Sequence, residues 1–219
     1  MHFLYEENEL LKLKKKDKKL AELIDDLGII ERKIETNLFL AIIRNIIAQQ
    51  ISNKALVTIL NKFMSRYPNP TAETLSKVSD EEFALVSISP KKALYIREFS
   101  QKVHDGSFNL DLLPSLSDEE AINYLTTLKG IGVWTAQMLL IFTLNRKNIL
   151  SFDDLGIKKG LCALYHHKKL TKELFMRYQK RFSPFGSIAS FYLWDISKSS
   201  LPHIKDFIQK KQNQNKNIK

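Results

Sequence analysis

Residues 128–136 read LKGIGVWTA, directly after the run SDEEAINYLTT at 117–127. Gly130 and Gly132 bracket a single isoleucine, in a chain that holds only seven glycines. A glycine at 130 can end the preceding helix with a positive φ, and a glycine at 132 lets a foreign backbone come close. The next helix begins at once, so its first N–H groups point toward the turn, an arrangement that suits a phosphate oxygen. The same residues also suit a helical hairpin whose glycines only cap and pack. From this stretch alone, turn and grip both stay open.

Outward from the hairpin, apolar residues recur at helical spacing almost everywhere. Leu20, Leu23, Ile24 and Leu27 form one face closed by Gly28. The run LFLAIIRNIIAQQI at 38–51 is too long for an ordinary strand and reads as a central buried helix ending in a polar tip at Gln49 and Gln50. SNKALVTILNKFMSRY follows as a helix capped by Ser52, and PNPTAETL at 68–75 reads as a loop. Ser79 with Glu82 makes a capping box, a helix restarts at Pro90, and another starts from Ser117 with acids in its first turn. No stretch alternates with period two between hairpin turns, and no repeat recurs at solenoid spacing. KDFIQKKQNQNKNIK at 205–219 reads as a helix end fraying into a basic tail. The expected fold class is all-α with short connections.

Lys and Arg number 34 against 24 Asp and Glu, a net charge of +10 that favours polyanionic partners such as nucleic acid or acidic lipid. A codon bias toward lysine would produce the same surplus, so charge alone decides little. The single cysteine, Cys162, excludes an internal disulfide and a four-thiolate zinc or iron–sulfur site, and reads as a buried, inert thiol. The N-terminus has no apolar core of signal-peptide length, and no apolar run approaches about 18 residues. The chain is therefore expected in the cytoplasm, away from membranes.

LKGIGVWTA resembles the hairpin of the helix–hairpin–helix (HhH-GPD) DNA glycosylase superfamily, in which Leu-Pro-Gly-Ile/Val-Gly precedes a Thr-Ala helix. An aspartate follows that hairpin at a fixed distance, and here 20 positions separate Trp134 from Asp154 in NILSFDDLGIKKGL. IIRNIIAQQIS looks like the superfamily's Gln-rich helix tip. FSPFGSIASFYLW at 182–194 resembles the Pro-aromatic-x-Ser-x-Ala-x-x-Tyr-x-Trp segment of its alkylated-base branch, typified by bacterial 3-methyladenine DNA glycosylase II. Larger members of that branch carry an N-terminal β domain, and this chain resembles a form that begins directly with helices. The resemblance implies two helical subdomains flanking an active-site cleft: one over about 37–145, the other from about 1–36 plus 146–205, with 206–219 a basic tail.

The resemblance also implies roles. Bifunctional members, which nick DNA through a Schiff base, carry a lysine two residues after the second hairpin glycine; Trp134 stands there, so excision without strand cleavage is expected. Asp154 is the implied carboxylate that stabilises a cation-like sugar, with Asp153 its rival and plain N-capping the bland alternative. Trp134 and Trp194, with Met138, are the implied base pocket, where stacking and cation–π attraction favour positively charged alkylated purines. Gln50, beside Gln49, is the implied wedge that fills the hole left by the flipped nucleotide. Lys129, Gly130, Ile131, Gly132, Val133 and Thr135 are the implied phosphate grip, and hairpin carbonyls are a site for Na+ or K+ in relatives. Lys147 and Lys158 are candidate supporting charges.

Three departures bear on the base range: Lys129 replaces the hairpin proline, Met138 a pocket tyrosine, and Gly186 an arginine. His166 and His167 are read as lacking catalytic duty. The expected partner is duplex DNA with damaged bases, bound by a monomer associated with the nucleoid, without other cofactors. Two alternatives remain: a related enzyme for deaminated, oxidised or mismatched bases, and a non-catalytic DNA-binding module.

Overall fold

The computed structural model describes residues 1–198, and the expected basic tail lies outside the described residues. In chain order the helices are α1 (Glu7–Lys16), α2 (Lys18–Leu27), α3 (Leu38–Ala48), α4 (Asn53–Arg66), α5 (Ala72–Ser76), α6 (Asp80–Leu85), α7 (Pro90–His104), α8 (Asp118–Leu125), α9 (Val133–Phe142), α10 (Leu155–Tyr165), α11 (Lys172–Phe182) and α12 (Gly186–Ser197), with a 3-10 turn at Leu110–Ser115. The fold is all-α. The one β pairing among the described residues is an antiparallel bridge between His2 and Lys33. No described helix is long and apolar enough to cross a membrane. The described residues divide into two compact units: Glu35–Leu144, and Met1–Ile34 together with residues 145–198.

The unit Glu35–Leu144 is built around α3. Ile42, Ile43, Ile46 and Ile47 on it are no more than 1% exposed, and each such side chain contributes roughly 1.5–3 kcal/mol by leaving water. α4, α7 and α9 pack against α3. α9 is apolar on almost every side, which fits a helix enclosed within its own unit. The starts follow the sequence signals: Ser52 accepts from the Ala55 N–H, Ser79 and Ser117 close capping boxes with Glu82 and Glu120, and Pro90 opens α7. PNPTAETL is loop only in its first half. Thr71 and Thr74 exchange reciprocal caps, Thr74 N–H to the Thr71 hydroxyl at 3.1 Å and Thr71 N–H to the Thr74 hydroxyl at 2.9 Å, and these nucleate α5. A Thr-x-x-Thr box does what Ser-x-x-Glu does.

The other unit is organised on α12, in which every residue from Gly186 to Leu193 is buried. α10 crosses α12 so closely that a Cβ at Gly160 would stand 2.1 Å from the Leu193 carbonyl oxygen. α2 joins them through the Tyr192 hydroxyl, which donates to the carbonyl of Gly28 at 2.8 Å, and Gly28 takes the positive φ expected of a helix stop. Cys162 on α10 is half-buried rather than buried, because α10 turns that side partly to solvent; burial still raises its thiol pKa, which suppresses the reactive thiolate.

Candidate functional site

The hairpin between α8 and α9 separates the roles of its two glycines. Gly130 has φ +84°, and a Cβ there would sit 2.5 Å from the Tyr95 ring, so the turn and its packing both demand glycine. Gly132 has φ −90°, and a Cβ there would meet nothing within 4 Å, so neither conformation nor packing requires glycine. It is also the N-cap of α9, and having no side chain it cannot cap that helix start itself. Val133 and Trp134 in the first turn are 47% and 44% exposed, while the side chains of Ile131, Thr135 and Met138 are buried. Of the implied grip residues, Lys129 and Val133 thus have exposed side chains, as does Trp134 beside them, while Met138 one turn on is buried.

Lys129 forms an ion pair with Glu98 at 2.7 Å, an interaction with which a phosphate would have to compete. The Gly130 carbonyl accepts from Gln49 Nε2 at 2.6 Å, and the Leu128 carbonyl accepts from the Ile131 N–H at 3.1 Å. A carbonyl oxygen has two lone pairs, so each of these keeps acceptor capacity beyond the bond it makes. Gln49 and Gln50 follow the last turn of α3. Gln50 is exposed with φ +56°, in the left-handed region that few non-glycine residues adopt.

In the second unit, Asp154 is the N-cap of α10, and its Oδ1 accepts from the Ile157 N–H at 2.8 Å and from Trp194 Nε1 at 2.9 Å. Asp154 is 7% exposed, while Asp153 is exposed. The capping alternative is therefore realised in the structure, and a second donor beyond the cap fixes the carboxylate's rotation. Gly156 makes this possible: a Cβ there would lie 2.8 Å from Trp194 Cδ1 and 3.1 Å from Asp154 Oδ1. The sequence holds a signal for it, since a glycine in the first turn of a helix gives up about 1 kcal/mol relative to alanine.

The segment that leads to Asp154 is held by α12. The Ser187 hydroxyl donates to the Arg146 carbonyl at 2.6 Å and accepts from the Ile149 N–H at 3.0 Å, and the Ser190 hydroxyl donates to the Ile149 carbonyl at 3.2 Å. Gly186 lies against the backbone of Asn148 and Ile149, 3.1 Å from a Cβ position, so a side chain at 186 would require that backbone to give by a few tenths of an ångström. The serines, Tyr192 and Trp194 of FSPFGSIASFYLW thus each hold a nearby element. Lys147 donates to both carboxylate oxygens of Glu9 at 2.8 Å, and Lys158 lies 3.9 Å from the Phe152 ring centre. Both candidate supporting lysines are therefore engaged within their own unit. His166 closes α10 in the left-handed conformation, and His167 Nε2 lies 2.7 Å from the Tyr178 hydroxyl, so both serve structure.

Residues 43–184 match the HhH-GPD superfamily of base excision DNA repair proteins. The chain is 34% identical to DNA-3-methyladenine glycosylase 1 of Schizosaccharomyces pombe over 167 residues, which is 72% of this chain and 71% of that protein. The crystal structure of DNA-3-methyladenine glycosidase from Bacillus halodurans superposes with TM-score 0.81 at 28% identity, covering 91% of this chain and 93% of that one. The S. pombe 3-methyladenine DNA glycosylase in complex with abasic DNA superposes with TM-score 0.77 at 30% identity, over 90% and 98% of the two chains. With the hairpin, the aspartate and the match all falling in one order along the sequence, this chain belongs to the HhH-GPD superfamily of base excision DNA repair proteins.

Proposed function

We propose that this protein is a monofunctional DNA glycosylase that hydrolyses the N-glycosidic bond of alkylated purines, such as 3-methyladenine and 7-methylguanine, in duplex DNA. The names of its relatives support the substrate class. The observation that carries the chemistry is the Trp194 Nε1 hydrogen bond to a buried, N-capping Asp154. A carboxylate held at a fixed rotation needs no reorganisation as positive charge grows on the sugar, and so lowers the barrier by electrostatics. Water adds to the sugar carbon and releases a proton to solvent, and the cationic base departs neutral with the bonding electrons.

Alkylated purines already carry positive charge and are good leaving groups, so they need aromatic surface more than a proton donor. Trp134, exposed on the first turn of α9, and Trp194 supply that surface, worth roughly 0.5–2 kcal/mol by cation–π attraction. Met138, one turn on from Trp134, lines the same pocket with a softer, adaptable side chain. With an indole at 134, no amine is placed for a Schiff base, and the abasic strand stays intact. Gln50 fills the vacated stack. The backbone at Gly130, Ile131, Gly132, Val133, Trp134 and Thr135, with Lys129 at the rim, holds a DNA phosphate, and Gly132 leaves room for its approach. The Leu128 and Gly130 carbonyls would hold Na+ or K+, which would add positive charge beside that phosphate. The protein acts as a monomer, in the compartment that holds the DNA.

Asp154→Asn tests this directly, because asparagine keeps the capping oxygen and the acceptor for Trp194 while removing the charge. Single-turnover release of 7-methylguanine from a duplex should fall by about a hundredfold or more with the melting temperature little changed. Wild-type rates in this variant would remove Asp154 from the chemistry.

A further inference from the structure

The tip of α3 is held by more than its own helix. Lys92, in the first turn of α7, donates from Nζ to the carbonyls of Ile47 and Gln49, each at 2.7 Å. Gln49 in turn donates from Nε2 to the Gly130 carbonyl at 2.6 Å. Directly after these ties, both of which reach Gln49, the backbone leaves the helix with Gln50 at φ +56° and its side chain exposed. A glutamine does not adopt that conformation unless its surroundings impose it.

The charge placement is also informative. An ammonium in the first turn of α7 opposes that helix's dipole, yet the same ammonium lies at the C-terminal end of α3, where the last carbonyls carry partial negative charge. Its location therefore serves α3, not α7. Burial lowers the pKa of Lys92, as expected for an ammonium withdrawn from water to serve internal acceptors.

We infer that Lys92 is a positioning residue for the DNA wedge: it joins the last carbonyls of α3 to α7 and, with the Gln49–Gly130 hydrogen bond, sets Gln50 in the left-handed conformation from which it enters the stack. This rests on the reading of Gln50 as the wedge, and it couples wedge to hairpin, because Gln49 ends on the carbonyl of the turn glycine. The hold on the tip is a property of the folded protein whether or not a base is excised. That makes the two claims separable.

The test uses the full chain carrying Lys92→Met, Lys92→Gln, Gln50→Ala and the Lys92→Met/Gln50→Ala pair. Amide hydrogen exchange over residues 48–53 should speed at least tenfold in Lys92→Met, with the cores of both units still protected, and by an intermediate factor in Lys92→Gln, which keeps one donor pair. Single-turnover excision of 7-methylguanine from a duplex should fall about tenfold in Lys92→Met. On a single strand, which has no stack to fill, the loss should shrink to under twofold. The double variant should be no slower than the slower single variant, since both act through one wedge.

Unchanged exchange at 48–53 in both Lys92 variants would overturn the inference. So would equal losses on duplex and single strand, or losses that multiply in the double variant. If Lys92→Met fails to fold, Lys92→Gln decides by the same readings. If the wild-type protein releases no alkylated base, the proposed activity falls, while the exchange result still decides whether Lys92 holds the tip.

Discussion

The hairpin and the carboxylate corner both depend on glycines, and they depend on them for opposite reasons. At the corner, Gly156 and Gly160 are glycines because the molecule itself occupies the space: Trp194 and Asp154 crowd the first, the Leu193 backbone the second. At the hairpin, Gly130 follows that rule against Tyr95, but Gly132 faces open space at an ordinary φ. One region is closed by its own side chains around a carboxylate. The other starts a helix from a glycine that supplies no cap of its own and leaves two first-turn side chains exposed. This contrast suits a division of labour in which the corner supplies preorganised charge and the hairpin accepts a backbone from outside.

The largest break in the contrast should come from Gly160→Ala. Its Cβ meets backbone at 2.1 Å, which cannot rotate away, so α10 and α12 must part. The expected cost is about 3 kcal/mol of stability, near the upper end for overpacking, read from the urea midpoint. A midpoint equal to wild type would show that the crossing is looser than described.

Gly156→Ala comes next and acts on chemistry more than on folding. The added methyl meets the edge of the Trp194 indole at 2.8 Å, and the indole can yield by moving off Asp154. Alanine is also the better helix former by about 1 kcal/mol, which offsets part of the strain. Excision should slow about tenfold, a loss of about 1.4 kcal/mol in transition-state stabilisation, with a shift in tryptophan fluorescence. An unchanged rate with a shifted fluorescence would separate the Trp194 hydrogen bond from catalysis.

Gly132→Ala should have the smallest effect on the protein and a distinct one on DNA. With φ −90° and no neighbour within 4 Å, alanine should fold as well as glycine. Duplex binding should weaken several-fold, in the roughly 1 kcal/mol range of a lost hydrogen bond, measured by fluorescence anisotropy. Equal affinity would return Gly132 to a plain turn residue.

Much of this is legible in the sequence because the signals are local. Capping serines, the glycine stop at 28 and the apolar run of α3 each name a helix from a few neighbouring residues. The hairpin, Asp154 and Trp194 are legible through the chain's resemblance to the glycosylase superfamily, whose motifs recur here in the same order. The Trp194–Asp154 bond spans 40 positions and the Lys92 ties span 45 and 43, so no window of sequence could display them. Lys147 reads as a candidate supporting charge in the sequence, whereas Glu9, 138 positions away, engages it in the fold. Met138 shows the same limit: its place in an apolar helix is readable, but its burial depends on what packs around α9.

The central claim is excision of alkylated bases without strand cleavage. Methylated genomic DNA is incubated with the wild-type protein, freed bases are identified by mass spectrometry, and strand integrity is read on a denaturing gel before and after alkali. The account predicts 3-methyladenine and 7-methylguanine in the supernatant, and strands that break only after alkali opens the abasic sites. Strands broken before alkali, or a supernatant with no methylated purine, would contradict it.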